Sequence, residues 1–196
     1  MPDLSDVEIV DGRRQRSERS RRAIIEAGIA LMKEGTLTPT AQQIAARAQV
    51  GLRSFFRHFE DMEALYAAVD EELRSFYEGV FIGGNRDGSL RERIGHAVEL
   101  RAQAYEDIKN IMLASTCKLW QSEVVKKNYA RGQRRLRGDL DEWLPELKLL
   151  RKDDREAVDA MTSFEMWHRL RFHQGLSKNS SIEIVTRLLR GLVPAE

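Results

Sequence analysis

The chain has 196 residues, of which 42% are hydrophobic and 32% charged, a composition typical of a globular protein with one or two domains. Its 32 basic and 31 acidic side chains give a formal net charge of only +1, so overall charge indicates no class of charged partner. The single cysteine, Cys117, excludes an intramolecular disulfide and a cysteine-based zinc site, and no apolar run approaches the roughly 18 residues of a membrane span.

The chain begins with MPDLSDVEIVDG, which is acidic where a secretory signal would be basic. We therefore expect a cytoplasmic protein with no membrane partner, and we expect residues 1–14 to form a flexible leader. Residues 12–59 carry ten basic and three acidic side chains, a charge of +7 that leaves −6 for the rest of the chain. A basic N-terminal segment beside an acidic remainder indicates a polyanionic partner.

Helix signals follow one another along the whole chain. Prolines occur only at positions 2, 39, 145 and 194, and apolar residues recur at steps of three and four. This pattern predicts an all-α protein of about nine helices. The first helix is predicted from Ser17 to Lys33, and Cys117 is expected to be a small buried residue in a later helix.

Two short helices are predicted next. Thr40 and Gln43 form a capping-box pattern that starts the second helix, although Thr38 before Pro39 is a rival start. A tight turn over residues 49–51 then leads to LRSFFRHF, which predicts the third helix.

The later helices are longer. An apolar seam predicts one helix from Met62 to Val80, and capping patterns at Ser89 and Ser180 predict further helix starts. One continuous helix is predicted from Asp153 to Gly175. The predicted organisation is a leader (1–14), a helix-turn-helix DNA-binding domain (15–60) and a helical effector-binding and dimerisation domain (61–196).

The second and third helices have the pattern of a DNA-reading helix-turn-helix, because they are short, joined tightly and set in basic sequence. Apolar side chains, Phe55 and Phe59 among them, would hold the pair together. The residues outside that core suit a DNA groove, with guanidinium groups for guanine or phosphate, a hydroxyl and an imidazole for phosphate, and an apolar group for the thymine methyl. These residues are Leu52, Arg53, Ser54, Arg57 and His58. His58 could instead pack beside Phe59.

At these positions the chain resembles the tetracycline-repressor (TetR) family of transcriptional regulators over about residues 15–70. The resemblance rests on Thr40, Ile44-Ala45, Ala48-Gln49-Val50-Gly51, Phe56-Arg57-His58-Phe59 and Glu63-Ala64-Leu65. It implies a repressor that binds a palindromic operator in double-stranded DNA as a homodimer. The predicted DNA-binding residues are Arg19, Thr40, Gln42, Gly51, Leu52, Arg53, Ser54, Phe56, Arg57 and His58.

Three departures from the family pattern bear on DNA affinity. Gln49 stands where the turn residue is usually glycine, so a left-handed backbone there would cost about 1 kcal/mol. Gly51 replaces the usual serine and removes a helix cap. Phe56 and Met62 stand where tyrosine and lysine are common, which removes two phosphate contacts. The arginine-rich segment 13–22 is either a solvated leader or a basic arm that compensates in the minor groove.

The resemblance also implies a cavity in the second domain for a small, largely apolar effector that releases the DNA. The residues predicted to line it, which could equally be plain core, are Tyr105, Met112, Trp120, Met161, Phe164 and Trp167. The last two helices, 154–174 and 181–192, are expected to pair with a second copy in a four-helix interface. The predicted interface residues are Phe172, Val185, Leu188, Leu189 and Leu192.

No residue pattern indicates catalysis, a metal site or a cofactor. Glu165 and His168 have the spacing of carboxylate-bridged metal sites, but only one such pair occurs, and Glu165 can pair with Arg169 instead. We therefore expect a regulator without cofactor that is not an enzyme. The alternatives are a helical-bundle enzyme with a vestigial N-terminal domain and a non-specific architectural DNA-binding protein.

Overall fold

The structure is a computed structural model that describes the backbone of residues 4–193 and the side chains of residue 12 and residues 14–193. Within that range the regular structure is entirely helical, which confirms the predicted all-α class. The α-helices are α1 (Leu4–Lys33), α2 (Ala41–Arg47), α3 (Leu52–His58), α4 (Met62–Gly79), α5 (Leu90–Asp107), α6 (Lys109–Lys118), α7 (Glu123–Trp143), α8 (Lys152–Met161), α9 (Phe164–His168) and α10 (Lys178–Leu192). A 3₁₀ turn (Pro145–Leu149) follows α7, and a π-helical turn (Arg169–His173) follows α9. None of the described helices is long and apolar enough to cross a membrane.

The chain divides into two compact units. The N-terminal unit comprises the chain up to Arg74 together with Leu113–Asn128. The C-terminal unit comprises Ser75–Met112 and the chain from Tyr129 onward. Of the predicted leader, residues 1–3 and the side chains of residues 1–11 and 13 lie outside the described part of the chain.

The core of the N-terminal unit joins α1, α2, α3 and the first turns of α4. Its large buried side chains are Ile24, Ile25, Met32, Ile44, Phe55, Phe59, Leu65, Val69 and Leu73. Burying one such side chain stabilises the fold by about 1.5–3 kcal/mol. Helices as short as α2 and α3 are unstable alone in water, so this packing holds them in place.

The C-terminal unit has a second apolar core, built mainly from α5, α7, α8 and α10. Its buried members include Ile94, Val98, Leu140, Trp143, Leu144, Leu147, Val158, Leu170, Val185 and Leu189. The exposed Cys117 lies on α6 within the N-terminal unit, so the expectation that it is buried was wrong.

Helix α1 begins at Leu4, well before the predicted start at Ser17. The added residues include helix-forming Arg, Gln and Glu, and the Arg14–Glu18 pair (3.3 Å) spans one turn of the helix. The Arg22–Glu26 pair (3.0 Å) does the same in the next turns. The backbone of the arginine-rich segment 13–22 is therefore helical.

The prediction of one helix from Asp153 to Gly175 was wrong. Helix α8 ends at Met161, and Ser163 caps a new helix because its Oγ accepts a hydrogen bond from the backbone N–H of Met166 at 3.2 Å. Helix α10 likewise starts earlier than predicted, since Ser177 rather than Ser180 is its N-cap.

Candidate nucleic-acid interface

Helix α2 starts at the predicted capping box. The Oγ1 of Thr40 accepts from the backbone N–H of Gln43 at 3.2 Å, and the Oε1 of Gln43 accepts from the backbone N–H of Thr40 at 2.9 Å. The rival start at Thr38 is not used. Two otherwise unpaired backbone donors are thereby satisfied, which fixes where α2 begins.

The turn after α2 places Gln49 in a left-handed conformation, with φ of 55°. The backbone N–H of Gln49 donates to the carbonyl of Ala46 (3.1 Å), and that of Val50 donates to the carbonyl of Ala45 (3.0 Å). These two bonds form a Schellman motif, which usually carries glycine at the left-handed position. The strain anticipated from the sequence at Gln49 is therefore present.

Helix α3 is anchored on one side and open on the other. Phe55 is fully buried and Phe59 nearly so, whereas Leu52 and Phe56 are 43% and 48% exposed. Arg53 and Arg57 are also exposed, and Arg57 donates to the Oγ of Ser54 at 2.9 Å. The N-cap residue is Gly51, which offers no side-chain cap, as the sequence predicted.

His58, at the end of α3, is half-buried. Its Nε2 is enclosed and has no hydrogen-bond partner among the described residues. Burial lowers the pKa of this imidazole, and the positive charges of Arg57 and Arg21 lower it further. His58 is thus partly enclosed, and a phosphate contact through Nε2 would require this atom to become accessible.

The basic side chains of α1 and α2 differ in their partners. Arg14, Arg16, Arg19 and Arg22 are exposed on α1, where Arg14 and Arg22 pair with Glu18 and Glu26 of the same helix. Arg47 is engaged, because its guanidinium forms a bidentate ion pair with Glu34 at 2.6 and 3.1 Å. Sequence reasoning missed the role of Arg21, whose guanidinium lies 5.2 Å from the ring centre of Phe59 and ties α1 to the end of α3.

The remaining predicted DNA-binding residues lie on α1 and at the start of α2. Gln42 is exposed in the first turn of α2, two residues after Thr40. Arg19 is exposed on α1, where its Nε donates to the carbonyl of Gln15 at 3.4 Å.

The predicted effector residues are only partly brought together. Tyr105, Met161 and Trp167 line one small cavity in the C-terminal unit, and the ring of Phe164 packs 5.6 Å from that of Tyr105. Burial raises the pKa of Tyr105 to about 12, and its hydroxyl donates to the carbonyl of Thr162 at 2.9 Å. Two predicted members lie elsewhere. Met112 is half-buried away from this cavity, and Trp120 belongs to the N-terminal unit with 94% of its surface exposed.

The predicted interface residues are also divided. Phe172 and Leu188 are exposed, and Leu192 is half-buried. Val185 and Leu189 are buried in the core of the C-terminal unit itself, because they lie on the inner side of α10.

The described residues show no group of three or more His, Cys, Asp or Glu side chains that could hold a metal ion. Glu165 accepts a hydrogen bond from the hydroxyl of Tyr129.

Solved structures with the same fold come from several bacteria. A protein from Streptomyces coelicolor A3(2), classed as a transcriptional regulator, is 19% identical with a TM-score of 0.56, and the match covers 88% of this chain and 99% of that one. A protein from Pseudomonas aeruginosa PAO1, also classed as a transcriptional regulator, is 17% identical with a TM-score of 0.57 over 92% of this chain and 91% of that one. A protein from Mesorhizobium loti MAFF303099, classed as a TetR-family transcriptional regulator, is 15% identical with a TM-score of 0.57 over 90% and 96%. No curated protein was found to be similar in sequence.

The sequence comparison is more specific for the helix-turn-helix. Residues 24–69 match the family described as bacterial regulatory proteins, tetR family. This part of the chain is similar to a tetR-family domain. The match takes in the end of α1, all of α2 and α3 and the first turns of α4. Beyond residue 69 the chain shares the fold of these solved structures.

Within the residues that match the family, the departures noted from the sequence have visible consequences in the structure. Phe56, in place of the usual tyrosine, is exposed and packs edge-on against Phe55 at 5.2 Å between ring centres. Met62, in place of the usual lysine, is half-buried at the start of α4. The open face of α3 is therefore partly apolar, with arginines beside it.

Proposed function

We propose that the protein is a ligand-responsive transcriptional regulator, a repressor that binds a palindromic operator as a homodimer. The observation that carries this proposal is the two-sided character of α3. Phe55 and Phe59 fix the helix in the core, while Leu52, Arg53 and Arg57 remain exposed on it.

The exposed face has the chemistry needed to read DNA. A guanidinium can donate two hydrogen bonds to one guanine edge, and an apolar side chain can contact the methyl group of thymine. Arg53 and Arg57 supply the first kind of group, and Leu52 and Phe56 supply the second. The exposed arginines of α1 supply positive charge that can contact phosphates, which position the protein without selecting sequence.

A homodimer would present two copies of α3 to one face of the duplex. Successive major grooves are about 34 Å apart, so a two-fold dimer with that spacing binds a palindrome. An effector that binds better to a dimer with a different spacing lowers the affinity for DNA. The size of this decrease is limited by the ratio of the effector's affinities for the two forms. This is the basis for a repressor that is released by a small molecule.

The proposal is tested by selecting bound sequences from random DNA and by footprinting the DNA that flanks the protein's own gene, at physiological salt. Arg53→Ala is expected to weaken operator binding by about 10- to 100-fold, since one base-specific contact is worth about 1–3 kcal/mol. The matched control is Arg91→Ala, an exposed arginine of α5, which should leave the footprint unchanged.

Two results would contradict the proposal. An Arg53→Ala variant that protects the same operator equally well would remove α3 as the reading helix. Equal affinity for all sequences with a steep dependence on salt would instead indicate an architectural DNA-binding protein.

A further inference from the structure

A small cavity lies inside the C-terminal unit between α5, the α8–α9 junction and α10. Its volume is about 10 Å³, room for about one water molecule. Most of its lining is apolar or small, and the lining includes Val98, Ala102, Tyr105, Met161 and Val185. Polar side chains line it as well, namely those of Arg101, Thr162, Ser163 and Trp167.

Two of these polar side chains, those of Arg101 and Trp167, carry an unused donor. The Nε–H of Arg101 and the Nε1–H of Trp167 are buried and have no hydrogen-bond acceptor among the described residues. The two residues are only 5% and 4% exposed. A buried donor without an acceptor costs about 1–3 kcal/mol, so two of them at one cavity require an explanation.

The charge of Arg101 is incompletely balanced. Its terminal nitrogen donates to the carbonyl of Leu136 and lies 3.6 Å from the carboxylate of Asp139. Asp139 is shared, because the guanidinium of Arg86 lies closer to it, at 2.8 Å. One partly buried carboxylate thus serves two guanidinium groups, which leaves Arg101 with capacity for a further anion.

Two other carboxylates near Tyr105 raise its pKa and would oppose an anion in the cavity. Both are engaged elsewhere. Asp159 lies 3.4 Å from the guanidinium of Arg137, and Glu165 accepts from the hydroxyl of Tyr129. The positive group that lines the cavity itself is Arg101.

We propose that this cavity is the effector site and that it takes a small amphipathic molecule with one carboxylate group. The carboxylate oxygens accept from the Nε–H of Arg101 and the Nε1–H of Trp167, and the apolar part lies against the aliphatic and aromatic lining. Calling the ligand an effector rests on the proposed function, whereas the binding site itself does not depend on that function.

Binding requires the cavity to widen, because about 10 Å³ does not accommodate a carboxylate with an alkyl chain. Part of the lining can move to allow this widening. Met161 has an unbranched, flexible side chain, and Met161, Thr162 and Ser163 form the junction at which α8 ends and α9 begins. Ligand binding is therefore expected to move this junction.

The experiment is titration calorimetry of the full chain, without DNA, using hexanoate as the probe and hexanamide as its neutral counterpart. Hexanoate is expected to bind at least tenfold more tightly than hexanamide, since only hexanoate presents a charge to Arg101. Trp167→Phe keeps an aromatic ring and removes the indole donor, so it should weaken hexanoate binding about tenfold. Trp143→Phe makes the same change in the core of the same unit but away from the cavity lining, and it should leave binding unchanged.

Each outcome is decisive. Absence of hexanoate binding, or equal binding of hexanoate and hexanamide, overturns the inference, and so does equal weakening by Trp167→Phe and Trp143→Phe. Because the titration contains no DNA, hexanoate binding by a protein that selects no operator would contradict the proposed function and leave the binding site standing. Operator binding without hexanoate binding would contradict the binding site and leave the proposed function standing.

Discussion

Gln49 adopts a backbone conformation that favours glycine, and this has a measurable consequence for stability. The Schellman motif between α2 and α3 requires a left-handed residue at this position, and a side chain there costs about 1 kcal/mol. Gln49→Gly is therefore expected to raise the free energy of unfolding by up to about 1 kcal/mol, reduced by the greater freedom of glycine in the unfolded chain. Denaturation with urea measures the change.

The control for this substitution is Ala46→Gly, at an exposed position in the same helix with ordinary helical geometry. It should lower the free energy of unfolding by about 1 kcal/mol, because glycine is the poorer helix former. The opposite signs of the two changes identify the strain. If both glycine variants are destabilised alike, the left-handed geometry at Gln49 is not a source of strain.

His168 couples stability to pH. Its ring stacks on that of Phe164 (5.6 Å) and contacts those of Phe172 (5.0 Å) and His173 (4.9 Å). Burial lowers the pKa of His168, and the nearby His173 and Lys109 lower it further. The folded protein therefore takes up a proton at lower pH than the unfolded chain, whose histidines titrate near pH 6.5. The stability that this provides is complete above about pH 6.5 and is lost as the pH falls below it.

His168→Phe tests this coupling, because phenylalanine keeps the aromatic packing and cannot be protonated. Thermal unfolding of the variant between pH 7 and pH 5 should show a smaller loss of stability than that of the wild type. An unchanged loss in the variant would mean that other groups account for the pH dependence.

Among the helices, α7 has an N-terminus that is held from outside by α4. One carboxylate oxygen of Glu63 accepts from the Oγ of Ser122 at 2.9 Å and from the backbone N–H of Val124 at 3.2 Å. Ser122 is buried, and its Oγ in turn accepts from the backbone N–H of Val125 at 3.0 Å. A negative charge at a helix N-terminus is stabilising, so Glu63 fastens the start of α7 to the start of α4.

Glu63→Gln retains the size of the side chain and removes its charge. We expect hydrogen exchange at the amides of Val124 and Val125 to become about tenfold faster, which corresponds to about 1.4 kcal/mol. The control is Glu123→Gln, an exposed residue in the first turn of the same helix, which should change exchange by far less. Equal effects from both substitutions would show that helix charge alone, without the contact from α4, sets the stability of this end.

The elements that the sequence predicted well are those with local signals. The Thr40–Gln43 capping box and the left-handed turn at Gln49 are contained within a few residues, so α2 and α3 could be placed before the fold was known. The break at Ser163 could not, because the apolar spacing through Met161 and Phe164 continues across it without interruption. At such a position several helix starts are compatible with the sequence, and packing of the whole unit selects one.

The candidate sites also divide into features with a local sequence signal and features without one. The exposure of Leu52 and Arg53 follows from helical periodicity once Phe55 is assigned to the core. The unpaired donors of Arg101 and Trp167 depend on which groups from distant helices come near them, and nothing in the sequence around either residue indicates it. An arginine in the middle of α5 would ordinarily be expected at the surface.

For the whole molecule, the proposed homodimer is expected to form through the exposed side of α10. Val185 and Leu189 are buried within the C-terminal unit, so an interface here must use exposed residues such as Leu188 of α10 and Phe172 of the π-helical turn, which are 37% and 41% exposed. Arginine at a buried position would unfold the unit, whereas arginine at the exposed Leu188 should leave it folded and place an unpaired charge in the interface.

Leu188→Arg is therefore expected to give a folded monomer in analytical ultracentrifugation, whereas the wild type is expected to sediment as a dimer. Operator affinity should fall by about 100-fold or more, since each half-site is then bound without the effective concentration supplied by the second α3. Leu149→Arg, at a position that is 70% exposed in the 3₁₀ turn, is the matched control and should remain a dimer with full affinity. A dimeric Leu188→Arg variant that still binds the operator would place the two-fold interface on another face of the C-terminal unit.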